Sequence, residues 1–189
     1  METNPYAPPQ AEVADVEPAT LPITPFFPCS KTKLIVMSTL TLTLYQLVWF
    51  FMNWRHIQRK GANVLPFVRS LFAVIFCYAL FDRVRWYRKD LPSSSLQAGL
   101  LALGFIVVTI VSAIYDRVSE RVADPLGPLL ISLIASYASV LFLLPVQTAI
   151  DTINREEVPD HDRNDRFTVW NWLWMAIGVA LTVAAFSGL

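Results

Sequence analysis

Gln147, Asp151 and Asn154 recur at i, i+4 and i+7, so on a helix they share one face. Two amides and a carboxylate in that register donate and accept hydrogen bonds but carry out no bond-breaking step on their own. Val146, Ala149, Ile150 and Ile153 fall at i, i+3, i+4 and i+7 and form a second, apolar face. Two placements follow. The helix lies at a membrane surface with its polar side in water, or the polar side meets the basic 54–60 or 82–90 segments, or a partner, because side-chain amides near lipid are costly without one. Pro145 stands just before this stretch and predicts a kink or a fresh helix start. Arg69 is the one further group of interest, since an ionisable side chain inside an apolar run marks an ion or anion path.

Little else in the chain offers chemistry. The two histidines, His56 and His161, lie in polar stretches, and no HExxH, GxSxG or CxxC arrangement is present. Cys29 and Cys77 cannot form a disulfide framework, and Cys77 reads as a small buried hydrophobe. Asp160-His161-Asp162-Arg163-Asn164-Asp165 opens like a calcium loop, but its sixth position is Asp165 rather than glycine and its twelfth is Asn171 rather than glutamate. No catalytic, cofactor or metal residue is therefore expected, and the expected role is non-enzymatic. Net charge is zero with fifteen dispersed basic residues, which argues against nucleic acid as a partner. The basic stretch Arg55-His56-Ile57-Gln58-Arg59-Lys60 suits a solvated loop or contact with anionic lipid.

The elements that must position these groups are apolar. Only 16% of the 189 residues are charged and 54% are hydrophobic, a balance that fits a lipid-covered surface. Uncharged runs cover 34–52, 96–115, 126–150 and 169–189. About 20 helical residues cross a hydrocarbon core, so each predicts a membrane-crossing helix. The fifth run, 64–81, contains Pro66 and Arg69 and either spans, with Arg69 snorkelling, or is re-entrant or interfacial. Residues 1–30 hold seven of the thirteen prolines, no Lys or Arg, and too little apolar density to repay the ordering entropy, which predicts a disordered tail. The expectation is an all-α membrane protein: a tail over 1–30 and a bundle of four to five transmembrane helices over 31–189.

Trp49, Trp54, Trp86, Trp170, Trp172 and Trp174 sit near the ends of the runs, where interfacial anchoring is expected. Thr168 reads as an N-cap, with Phe167 and Trp172 as a hydrophobic staple. Ala176, Ala180, Ala184 and Gly188 recur every four residues and predict close packing against another helix, within the chain or between chains.

Basic residues in short loops stay cytoplasmic. Five spans put the N-terminus inside; four spans with a re-entrant 64–81 put it outside. Both arrangements place 151–168 inside and the C-terminus outside.

Asn4-Pro5-Tyr6-Ala7-Pro8-Pro9, Leu44-Tyr45-x-x-x-Trp49-Phe50-x-x-Asn53-Trp54 and Gln147-x-x-x-Asp151-x-x-Asn154 resemble a group of small uncharacterised bacterial inner-membrane proteins. The resemblance implies a multi-pass inner-membrane location and brings no activity, substrate or cofactor. The expected partners are the lipid bilayer and a membrane protein or a second copy of the chain. The expected role is interaction or regulation; the alternative is a small transporter or channel subunit.

Overall fold

The computed structural model describes residues 23–87, 90, 95–119 and 126–187. The described residues fold into seven helices: α1 (Lys31–Leu40), α2 (Leu44–Arg59), α3 (Pro66–Leu71), α4 (Ala73–Arg85), α5 (Ala98–Ser119), α6 (Leu126–Glu157) and α7 (Val169–Ser187). No strand occurs among them. Two helices are long and apolar enough to cross a membrane: α5 over Ala98–Val118 and α6 over Leu130–Glu157. The described apolar stretch of α7, Val169–Leu181, is shorter.

The run 34–52 is not one helix. It breaks after Leu40, and Leu42 and Thr43 take positive φ values of 44° and 75°. A β-branched residue in that region is strained. The break is stitched by Thr43 N–H donating to the Ser38 carbonyl (2.9 Å) and by the Thr41 hydroxyl, which donates to Met37 O (2.7 Å) and accepts from Tyr45 N–H (3.0 Å).

Beyond the break the chain doubles back. A straight helix would carry Asn53 about 33 Å from Lys31. Yet Asn53 accepts a hydrogen bond from Phe27 N–H at 3.2 Å, and the four residues from Phe27 to Lys31 reach at most about 14 Å. So α1 and α2 form a hairpin whose closed end lies at residues 41–43.

The run 64–81 is likewise divided, into α3 and α4, at Phe72, whose ψ of 41° interrupts the ladder. Pro66 supplies the fixed φ of the first turn of α3. By contrast, α6 runs unbroken through Pro145, so the fresh start anticipated there does not occur.

The tail expected over 1–30 is shorter at its inner end. Residues 24–29 lie against the bundle, with Phe26 and Cys29 each 1% exposed; residues 1–22 are outside the described set. Prolines 25 and 28 keep this strap extended, and its backbone groups are satisfied by side chains instead of a ladder. The core gathers Trp49, Phe50, Trp54, Phe81, Leu143 and Ile150 between α2, α4 and α6. Trp49 and Trp54, expected as interfacial anchors, are wholly buried, whereas Trp86, Trp170, Trp172 and Trp174 are at least half exposed. Where α5 meets α6, the Phe142 ring is seated on Gly104, in space that a Cβ there would overlap.

The start of α7 follows the sequence signals. Asn171 N–H donates to the Thr168 hydroxyl at 3.4 Å, and the Phe167 and Trp172 rings lie 6.0 Å apart. Within the chain, the small-residue stripe is not packed at Ala176 and Ala180. Ala176 and Ala180 are exposed, and α7 packs on the hairpin through Met175 and Gly178. Gly188 is outside the described residues.

Candidate functional site: a side-chain clamp on the N-terminal strap

Two polar stripes face each other across the core. One is the α6 stripe of Gln147, Asp151 and Asn154. The other, on α2, is Gln46, Trp49, Asn53 and His56 at i, i+3, i+7 and i+10. Both lie on helices whose inward positions are otherwise mostly apolar, so each buried polar group needs a hydrogen-bond partner within the bundle or on the strap.

They find them. Trp49 Nε1 donates to Gln147 Oε1 at 2.7 Å, and Gln147 Nε2 donates to Asp151 Oδ1 at 2.7 Å. Lower in the bundle Gln46 Nε2 donates to Ser139 Oγ at 2.7 Å. Asn53 Nδ2 is held by the Trp49 carbonyl at 2.9 Å, which aims its oxygen at Phe27 N–H. Gln147, Asn53 and Asn154 are each 0% exposed, so a helix lying with its polar side in water is ruled out for this stretch. The apolar face is buried as well: Val146, Ile150 and Ile153 are 0% exposed. Among the described residues the polar face makes no hydrogen bond to the basic 54–60 or 82–90 segments; its partners are an indole and a main chain.

That main chain is the strap. Asn154 grips Phe26 on both sides, accepting from its N–H at 3.2 Å and donating from Nδ2 to its carbonyl at 3.0 Å. The same pairing joins neighbouring strands, here made by one amide side chain. His56 Nδ1 lies 2.9 Å from the Thr24 carbonyl, which can only accept, so this nitrogen carries the hydrogen. Asn164, at φ 51°, donates from Nδ2 to the Pro28 carbonyl at 3.1 Å, and Lys33 Nζ reaches Asn164 Oδ1 at 2.7 Å and the Arg166 carbonyl at 2.9 Å. The loop that opens like a calcium site is therefore the outer anchor of the strap. Among the described residues no group of three or more His, Cys, Asp or Glu side chains converges.

Electrostatics agree with a holding role. Burial pushes the His56 pKa below its ordinary value, opposed by the Thr24 hydrogen bond and reinforced by Arg59, Arg55 and Lys60. Burial pushes the Cys29 thiol up to about 11, so it is protonated and unreactive at neutral pH. Its Sγ lies 3.6 Å from Tyr45 Oη.

Arg69 is not part of this clamp. Its guanidinium stacks 4.4 Å from the Trp54 ring centre and 5.2 Å from that of Phe76. Asn53, His56, Asn164 and Lys33 were not singled out from the sequence as gripping groups. The available signal was the helical spacing of Gln46, Trp49, Asn53 and His56, which repeats the logic of the α6 stripe. Comparison of the chain with family models, with curated proteins and with solved structures finds no match.

Proposed function

We propose that this chain is a multi-pass inner-membrane protein with a non-enzymatic interaction role, in which the clamp fixes the strap over residues 24–28 so that a membrane-protein partner or a second copy meets this part of the chain there. The two-sided grip of Asn154 on Phe26 is the observation that carries this reading. A side chain that saturates both backbone groups of one residue fixes that residue in place, and Asn53, His56 and Asn164 hold neighbouring backbone groups of the strap. The resemblance to small bacterial inner-membrane proteins supports the location.

In this reading α5, α6 and α7 cross the bilayer, while α1–α2 and α3–α4 enter and return. The basic residues at the start of α1, the ends of α2 and α4 and the α6–α7 loop gather at the strap end, and Arg117 lies at the other. The positive-inside bias then puts the strap and 151–168 in the cytoplasm and the C-terminus outside.

Co-purification from gently solubilised membranes tests the role. Wild type is expected to retain a membrane-protein partner or a second copy, the chain lacking 1–28 to lose it, and Asn154→Ala to hold it more weakly. Equal capture by the truncated chain sinks the reading.

One observation favours transport as the second reading. The α1–α2 break leaves the Ser38 and Thr39 hydroxyls buried without a partner, and discontinuous helices of this kind surround ion sites in transporters. Ion flux in reconstituted vesicles that disappears in Ser38→Ala would support it.

A further inference from the structure

Away from the strap, a concavity of 620 Å³ opens among α2, α3 and α4, lined chiefly by Trp54, Arg69, Tyr78, Asp82, Arg83 and Trp86. Its chemistry is unfinished. The Arg69 guanidinium is stacked on rings through its faces, but among the described residues it makes no hydrogen bond or ion pair along its edge. Trp54 is 0% exposed and its indole N–H has no acceptor. A buried donor without an acceptor is costly, which applies to the Trp54 N–H; the half-exposed Arg69 presents its edge to the concavity, where an anion can bond it. Beside them stands one carboxylate, Asp82, flanked by the aromatic rings of Tyr78 and Trp86.

The walls are graded. Ile75, Tyr78, Asp82 and Trp86 fall at i, i+3, i+7 and i+11 along one face of α4. The face begins apolar, with Ile75 69% exposed, and ends polar at Asp82, Arg83 and Trp86. Phe72 and Leu71, 50% and 58% exposed, extend its apolar end.

We propose that this groove binds an amine-bearing, zwitterionic phospholipid. The phosphodiester is held by Arg69, Arg83 and the Trp54 N–H. The ammonium sits toward Asp82 and the face of Tyr78, since the Trp86 ring is stacked by Arg85 at 4.9 Å. The acyl chains run along Ile75 and Phe72. Inorganic phosphate would leave the apolar end bare, and an anionic headgroup without an amine would place no cation against Asp82.

The proposal rests on the membrane reading, and the two can fail separately. Alkaline extraction first asks whether the full chain stays in the membrane; release overturns both. The retained chain is then purified and its bound lipid weighed by native mass spectrometry after reconstitution in equal phosphatidylethanolamine and phosphatidylglycerol. Wild type should hold phosphatidylethanolamine in preference, by about tenfold. Arg69→Gln should weaken retention of both lipids by about tenfold, and Arg83→Gln carries the same expectation where Arg69→Gln does not fold. Asp82→Asn should still bind lipid but lose the preference between the two. Wild-type retention in both arginine variants overturns the proposal, as does an unchanged preference in Asp82→Asn. So does displacement of the bound lipid by millimolar inorganic phosphate, which would assign the groove to a soluble anion.

Discussion

At the residue scale, Asn154 carries the most consequence for its size. Truncating it leaves the Phe26 N–H and carbonyl buried with neither a partner nor water. Asn154→Ala is therefore expected to destabilise the fold by about 1–3 kcal/mol, read as a lowered detergent melting point, with Thr152→Ala, on the exposed hydroxyl of the same helix, nearly neutral as a control. His56 gives the clamp a pH dependence of fixed sign. Because its folded pKa lies below the ordinary 6.5, protonation favours the undocked strap. Its contribution is complete above 6.5 and is lost as the pH falls toward and through the lowered folded value. Melting followed from pH 8 down to pH 5 should show a loss that shrinks in His56→Gln; an identical pH profile in that variant would remove His56 as the source. The α6 stripe was legible in the sequence because its spacing is local. Its partners were not, because Phe26 lies 128 residues away and nothing in a proline-rich segment announces where it docks.

At the element scale, the long apolar helices were readable and the broken ones were not. The runs 96–115, 126–150 and 169–189 correspond to α5, α6 and α7 with shifts at their ends, and the extension of α6 to Glu157 absorbs the amphipathic stretch. Breakers misled in both directions. Pro145 sits within an unbroken helix, whereas the reversal at Leu42–Thr43 contains neither glycine nor proline and is enforced by what packs on either side of it. On α7 the alanine spacing marks a face exposed within the chain at Ala176 and Ala180, and Gly178 marks the one that packs against α1. A Cβ at Gly178 would stand 2.8 Å from the Leu40 carbonyl oxygen and 3.0 Å from Thr41 Cα, both backbone atoms that cannot swing aside. Gly178→Ala should thus cost about 1–3 kcal/mol by overpacking, although alanine is the better helix former. Ala180→Leu, on the exposed side, should stay within about 0.5 kcal/mol for the isolated chain. The reverse order of melting points would show that α7 is rotated.

At the scale of the whole molecule, composition announced an all-helical, lipid-compatible protein, and the number of crossings is where run-counting stops being informative. Counting apolar runs treats each as a crossing; a hairpin such as α1–α2 has the composition of a span and the connectivity of a loop. The difference changes which charges share a side. In the proposed arrangement, with both short pairs returning, the basic groups cluster at the strap end, and the orientation does not depend on how 64–81 is assigned. Single cysteines at Asp162 and Ser187, in a chain with Cys29 and Cys77 replaced, report this with an impermeant thiol reagent. Ser187 is expected to label in intact cells and Asp162 only after the membrane is opened; the opposite pattern inverts the orientation.

The distance in sequence between Phe26 and Asn154 also sets a clock. Ribosomes add about 5–20 residues per second, so the 128 residues between grip and gripped take roughly 6–26 s to be made. During that interval Asn53 and His56 of α2 are made before Asn154 is, so the strap can be held at Phe27 and Thr24 before it is gripped at Phe26. A nascent chain arrested before residue 154 lacks the two-sided grip, which closes only once that part of α6 has been made.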